Sequence, residues 1–455
     1  MASGERTLAL TRRAIFAQAW PIMLGLASVP LVGVVDAAVI GRTGDTAALA
    51  GVALGATIIN LVFWSFGFLR MGLSGLAAQA QGAGDTREVE ALLLRGIAIG
   101  GLVGLAITVL QWPIGRVAFA LLEGGPEVTA EAAGYTSFRF FGAPAALAIF
   151  AINGWLIGLG RTRAALALQI VMNAVNIALD LIFVWGFGMG ASGVGAGTAI
   201  AEWTALAAGI AIAARLCGAG PVALARRVGR GALLEGAAVK RLFNVNADLM
   251  IRTIALLAMF TWFANAGARL GAQSLAANHL LLQFVSVAAF ILDAFAFTAE
   301  SRVGHAIGAG SRSAFLRAIR LTGEFSAVAG LALALVFSLG GSLALEAMTT
   351  DPGVRLEAQR YLALAALIPL IGVPSWLLDG IFIGATRTRA MRNAAMLATA
   401  LYLALDFSLR PLGNLGVWIA FAAGYLLRAG ALGLHFPGLF RSIGSPPALA
   451  PQQPA

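Results

Sequence analysis

Apolar residues run through this chain in long blocks, and polar residues gather in the short gaps between them. The first block, Ala14 to Ile40, contains one charged side chain, Asp36. A helix crosses a bilayer with about 20 predominantly apolar residues, whereas a transmembrane strand alternates over about 10. The blocks here are long and do not alternate, so the pattern predicts helices. Twelve are expected, over 14–40, 48–80, 90–112, 128–158, 164–186, 190–216, 244–268, 272–308, 315–347, 355–385, 390–410 and 413–436. Several exceed about 25 residues and must tilt, kink or extend past the hydrocarbon. The first block also exceeds the apolar core of about 7–15 residues in a cleavable signal, so an uncleaved first helix is expected.

Composition agrees with that reading. Of 455 residues, 59% are hydrophobic and 11% charged, against about 25% charged in soluble domains. The mean hydropathy is +0.86. A water-soluble enzyme or binding module is excluded. The net charge of +10 on a soluble chain would suggest a nucleic-acid partner. Its placement argues otherwise. The N-terminus, the connections after every second predicted helix and the C-terminus hold 22 of the 31 Lys and Arg residues; the intervening connections hold six. That bias puts both termini in the cytoplasm. Arg70, Arg139 and Arg252 remain inside predicted helices. A lone Cys217 allows no internal disulfide, the three His are dispersed, and no HExxH, Walker A or dinucleotide fingerprint occurs. No cofactor or catalytic metal is expected, and an ion gradient is the expected energy source.

The chain repeats itself. IGLGRTRA at 157–164 returns as IGATRTRA at 383–390, an offset of 226. At the same offset, AQGAG (80–84) returns as AIGAG (306–310) and ALD (178–180) as ALD (404–406). Six helices is an even number, so the two halves are expected to be parallel repeats about an axis along the membrane normal, with a binding site between them. The expected division is an N-lobe over 1–216, a cytoplasmic linker over 217–243, a C-lobe over 244–436 and a tail over 437–455, whose Pro-rich end 445–455 reads as disordered.

Ionisable groups inside a membrane are costly and mark pathways or pairs. Asp36 follows Pro21 and Pro30, two positions where the first helix can bend. It reads either as a protonation switch or as an interfacial acid facing water. Asn176 and Asp180 share a helix face at i and i+4, with Asn173 nearby. Their oxygens suit a hard cation or a proton, though Asn also serves simple helix packing. In the second half, Arg252, Asp293 and Glu300 form a possible polar site, either for an amphipathic cation or as a structural ion pair. Asp379 and Asp406 also fall in or near predicted helices of that half. Asp406 is the repeat partner of Asp180, while Tyr402 stands for Asn176 and Trp262 for Asp36. The carboxylate–amide set is therefore fuller in the N-terminal half. The repeat-related Arg161, Arg163, Arg387 and Arg389 read as topogenic charge that contacts anionic headgroups. The Gly-x-Gly-Asp at 82–85 resembles an intramembrane protease motif, but Thr86, Arg87 and Glu88 place Asp85 at a helix end.

Pro21, DAAVIG (36–41), FLRMGLSGLAAQAQGAG (68–84), NAVNIALD (173–180) and LDAFAFTAESRVGHAIGAG (292–310) together give the chain a resemblance to the multidrug and toxic compound extrusion (MATE) family, in its DinF-like branch. The resemblance covers nearly the whole chain. It implies an all-α integral membrane protein of twelve transmembrane helices in two six-helix repeats. It further implies a monomeric efflux antiporter of the bacterial inner membrane. Such a protein exchanges H⁺ or Na⁺ for small amphipathic, often cationic, organic compounds. By the same resemblance Asp36, Asn176 and Asp180 are the cation-coupling residues, the only possible Na⁺ site, and Tyr135, Asn153 and Thr198 complete their network. Two other readings stand beside it. A lipid-linked precursor flippase of the same superfamily would need a strongly cationic cavity, and an intramembrane enzyme would need a complete catalytic constellation.

Overall fold

The computed structural model describes residues 10–122, 124–233 and 235–444. The Pro-rich 445–455 stretch lies outside them. Among the described residues there is no strand, and twelve helical spans are long and apolar enough to cross a membrane. In the N-terminal half the helices are α1 (Arg12–Gly41), α2 (Thr46–Trp64), α3 (Phe68–Gly82), α4 (Thr86–Val109), α5 (Gln111–Leu121), α6 (Pro126–Gly158), α7 (Thr162–Asp180) and α8 (Gly190–Cys217). Two short helices follow, α9 (Pro221–Val228) and α10 (Arg230–Leu233). The C-terminal half contains α11 (Gly236–Arg269), α12 (Ala272–Gly308), α13 (Arg312–Met348), α14 (Pro352–Gly384), α15 (Thr388–Leu409), α16 (Asn414–Gly433) and the short α17 (Phe436–Arg441).

The helices begin earlier than hydropathy alone suggests because their first turns are polar. Asp45, Asp85, Ser311 and Asp351 each accept a hydrogen bond from a backbone amide three residues on, satisfying one of the donors a helix start leaves free. Asp85 is therefore a cap, as its setting at a helix end suggested. The second predicted helix is divided at 65–67 into α2 and α3. The seventh starts at Gly236, inside the expected linker, because its amphipathic first turns continue past the apolar block. The linker is pinned rather than loose. Arg87 donates to the Val228 carbonyl at 2.9 Å, Arg95 to Leu233 at 3.3 Å, and Arg227 pairs with Glu90.

The same helix is central in each half: α6 packs against α2, α3, α4 and α8, and its repeat copy α14 packs against α12, α13 and α16. Glycines set this packing. A Cβ on Gly154 or Gly158 would collide with the carbonyls of Arg70 or Ser74, and one on Gly380 or Gly384 with those of Ala296 or Glu300. Each residue in the second set is 226 positions after its partner in the first. The halves meet where α3 lies against its own repeat copy, the second part of α12. There Gly82 abuts the His305 carbonyl and Gly308 the Gln79 carbonyl, again a pair related by 226. Polar bonds between the halves gather at this seam: Gln79 Nε2 donates to the Gly384 carbonyl (2.8 Å), Ser301 Oγ to Gly158 (3.0 Å) and Arg302 Nε to Gln18 Oε1 (2.6 Å). This end also carries the Arg-rich connections. Elsewhere the outer surface is apolar, with Val109, Leu339 and Leu343 among the exposed side chains.

Close backbone approach is what the seam requires, so bulk there is costly. Gly308→Val should destabilise the purified protein by about 1–3 kcal/mol. Gly101→Val, where nothing lies within 4 Å, should change little. Thermal unfolding in detergent measures both.

Candidate functional site

The N-terminal half gathers its polar side chains where α1, α6, α7 and α8 meet. Asp180 ends α7 and is fully buried, and Asn176 sits one turn before it. Asn176 Nδ2 donates to Asp180 Oδ2 (3.2 Å) and to Thr198 Oγ1 (3.0 Å) on α8. Asp36, on α1, brings its carboxyl within hydrogen-bonding reach of the Asp180 carboxyl. Gly197 on α8 makes this possible, since a Cβ there would run into Asp180 Oδ1. Three oxygens of the cluster, Asp36 Oδ1, Asp180 Oδ1 and Asn176 Oδ1, are buried without a hydrogen-bond partner. Two carboxylates in contact repel when both are charged, and a proton or a cation between them removes the repulsion. Oxygen-only donors of this kind suit either.

The surroundings hold α1 in place. Just after Asp180 the backbone loosens into a π-helical turn, Leu181–Gly186, a form that recurs at functional sites. Trp185 in that turn donates to the Val39 carbonyl at 3.0 Å, three residues beyond Asp36. Nearer the middle of the helix, Asn173 Nδ2 donates to Ser28 Oγ at 3.1 Å. Helix α1 runs unbroken through Pro21, which is buried, and Pro30, which is exposed.

Beside the acids lies an ion pair that sequence reasoning did not assemble. Arg139 Nη1 on α6 bonds Glu202 Oε1 on α8 at 2.7 Å, with both side chains about nine-tenths buried. Gly142 leaves room for the Glu202 carboxylate. The Arg139 guanidinium also lies against the Tyr135 hydroxyl, one turn before it on α6, which brings Tyr135 to the cluster. Glu202 stands alone among apolar residues in its block, and the rule that flagged Asp36 would have flagged it. Asn153 is a correction. It lies eighteen residues after Tyr135 on α6, roughly 27 Å along the axis at 1.5 Å per residue, and no bond joins it to the cluster among the described residues.

The MatE family model matches residues 21–182 and 249–408, spanning both halves and the acidic cluster. The chain belongs to the MatE family. It is 33% identical over 432 residues to DNA damage-inducible protein F of Escherichia coli, covering 94% of this chain and 92% of that one. Solved structures share the fold. One is a mutant of the Vibrio cholerae MATE transporter VcmN, with a TM-score of 0.83 at 21% identity over 95% of this chain and 97% of that one. Another is a MATE in the bent conformation, with a TM-score of 0.85 at 17% identity over 97% of this chain and all of the other. A MOP superfamily transporter of Pyrococcus furiosus, described as having a binding pocket of reversed polarity, gives 0.81 at 16% identity over 98% and 100%. MatE proteins are transporters rather than enzymes, so this chain is a multi-pass membrane transporter.

The second half of this MatE protein treats the equivalent positions differently. Trp262 Nε1 donates to Asp406 Oδ2 at 2.9 Å, and Arg269 Nη2 reaches the same oxygen at 3.2 Å. The indole stands where the first half has Asp36, so Asp406 is held by fixed donors. Arg252, Asp293 and Glu300 lie within electrostatic range of one another, but the direct partner of the guanidinium is another acid. Arg252 pairs with Asp379 at 2.5 Å. Arg428, which sequence reading had counted as terminal charge, joins the same carboxylate at 3.5 Å and donates to Ser375. Glu300 is fully buried at the seam, facing Arg70 of α3 at 3.8 Å, and that guanidinium also covers the Phe297 ring. No cluster of three His, Cys, Asp or Glu suited to a metal ion occurs among the described residues.

The Arg139–Glu202 pair is buried, so removing one member strands the other. Glu202→Leu or Arg139→Met alone should destabilise the protein by about 3–5 kcal/mol, and the double variant should recover most of that loss. Thermal unfolding of the three variants reads the difference.

Proposed function

We propose that this transporter is a secondary antiporter that exchanges H⁺ or Na⁺ for small amphipathic, often cationic, organic compounds. The observation that carries the reading is the contact between the Asp36 and Asp180 carboxyls, with three unpartnered oxygens around it. Such a contact is favourable with a proton or cation between the acids and unfavourable without one. A ligand shifts a conformational equilibrium only by its differential affinity for the two states. Separation of α1 from α7 would supply that difference, because it takes Asp36 away from Asp180.

The steps follow from that dependence. A cation entering from the outside joins the two acids and holds α1 against α7. This reshapes the cavity beside Asn176 and Thr198 and displaces the organic compound. Pro21 and Pro30 give α1 the places at which it bends. Release of the cation on the cytoplasmic side separates the acids and resets the cycle. In this reading Tyr135, Arg139 and Glu202 position the acids, the termini are cytoplasmic, and a monomer acts alone. The moving bodies are lobes over 1–216 and 244–436, joined by 217–243. A flippase for a pyrophosphate-linked lipid would want surplus positive charge at the centre. Here Arg70, Arg252 and Arg428 face Glu300 and Asp379, and Asp293 lies within electrostatic range of all three arginines, which favours cationic or neutral cargo.

Efflux from proteoliposomes under an imposed pH or Na⁺ gradient tests the proposal. Wild type should accelerate efflux under one of the two gradients. Asp36→Asn should insert normally and lose the acceleration, reducing gradient-driven efflux by on the order of tenfold or more. Undiminished gradient-driven efflux by Asp36→Asn would contradict it.

A further inference from the structure

The repeated Arg-Thr-Arg motifs take no part in the carboxylate cluster, yet each lines a cavity on the Arg-rich face. In the N-terminal half, a cavity of about 460 Å³ lies beside the starts of α1 and α7, walled in part by Ala14, Gln18, Arg161 and Arg163. In the C-terminal half, one of about 650 Å³ lies beside the starts of α11 and α15, walled in part by Lys240, Arg241, Asn244, Arg387, Arg389 and His435. Adding 226 to positions 14, 18 and 160–164 gives 240, 244 and 386–390, all of which line the second cavity. The two cavities are copies that have diverged. Lys240 stands where the first half has Ala14, and Arg241 where it has Ile15.

The added charge in the second copy is not neutralised from within. Asp248 is the one carboxylate among its wall residues, and Arg392 Nη1 (2.7 Å) and Thr388 Oγ1 (3.0 Å) already engage it. Among the described residues the Arg241 side chain reaches only the Gln79 side-chain oxygen, at 3.3 Å. The side chains of Lys240, Arg387 and Arg389 make no hydrogen bond or ion pair among the described residues. Crowded like charges repel, and an anion among them converts repulsion into attraction. The wall also offers neutral donors on Asn244 and Asn393. Next to Asn244, Phe243 is 71% exposed on the outer surface of α11, so an apolar flank adjoins the basic wall. A headgroup phosphate beside an acyl chain presents the same two chemistries together.

We propose that the cavity between α11 and α15 is a binding site for a phosphate-bearing anion, the phosphodiester of an anionic phospholipid being its ligand chemistry. The site lies outside the acidic cluster, so it stands whether or not the antiport reading does. Free inorganic phosphate shares the chemistry and is separated from lipid by the test.

The test uses the full-length protein purified in detergent. Binding of dioctanoyl phosphatidylglycerol and of dioctanoyl phosphatidylcholine is followed by native mass spectrometry, with inorganic phosphate as competitor. Phosphatidylglycerol should bind saturably and phosphatidylcholine should not. The double variant Arg387→Gln/Arg389→Gln should weaken binding by on the order of tenfold or more, and Lys240→Gln should weaken it independently. Arg317→Gln, at a separate position on the same face, should leave it unchanged. Competition by phosphate supports a site for the phosphoryl group alone, and its failure supports one that needs the lipid. Equal binding of phosphatidylcholine, absence of saturable binding, or an equal loss in Arg317→Gln overturns the proposal.

Discussion

A carboxylate inside hydrocarbon costs about 2.5–3.5 kcal/mol even on lenient insertion scales, so a buried acid needs a donor, a proton or a cation. This chain meets that requirement in two ways at the same repeat position. In the second half, Asp406 is held by the Trp262 indole and the Arg269 guanidinium. Both are permanent features of the fold. In the first half, Asp180 faces another acid, Asp36, and accepts a bond from the Asn176 amide, while the nearby Arg139 guanidinium is engaged by Glu202. In the proposed antiport reading, what completes that site is a proton or cation that comes and goes. Duplication thus supplied two copies of one corner, and substitutions at several positions, Asp36 against Trp262, Thr43 against Arg269 and Asn176 against Tyr402, left one copy closed by fixed donors and the other with two facing acids.

The Asp36–Asp180 corner sits in a rigid frame. The glycines that let α3 and α6 approach have partners 226 residues later that do the same for α12 and α14. Backbone carbonyls sit where side chains would otherwise be, which leaves little give at the seam between the halves. Helix α1 is different. Much of its length faces outward, and specific bonds such as those from Asn173 and Trp185 tie it to α7 and to the π-helical turn that follows. A helix held by a few side-chain bonds beside a close-packed frame is the element best suited to move.

Much of this was legible in the sequence, for a physical reason. Hydropathy and the offset of 226 report burial and duplication, and both are properties of one segment at a time. The spacing of Asn176 and Asp180 likewise fixes a shared helix face. Pairings between segments were not legible. Arg139 and Glu202 lie 63 positions apart, and only the packing of α6 on α8 joins them. Arg428 resembled loop charge because it stands near the end of the last span, yet it points inward to Asp379. Asn153 was grouped with Tyr135 by resemblance, and helix geometry sets them far apart. The linker read only as a cytoplasmic connection between lobes, and its docking was not legible: α4 arginines bond its carbonyls and its Arg227 pairs with Glu90.

The central claim is that one cation, held between Asp36 and Asp180, is displaced when an organic compound binds. Purified protein in weakly buffered detergent solution, titrated with a fluorescent amphipathic cation, tests it directly. The account predicts release of about one H⁺ per bound compound, or of one Na⁺ from protein preloaded with that ion, and no release from Asp36→Asn. Equal release from wild type and Asp36→Asn, or binding with no release of either ion from wild type, would contradict it.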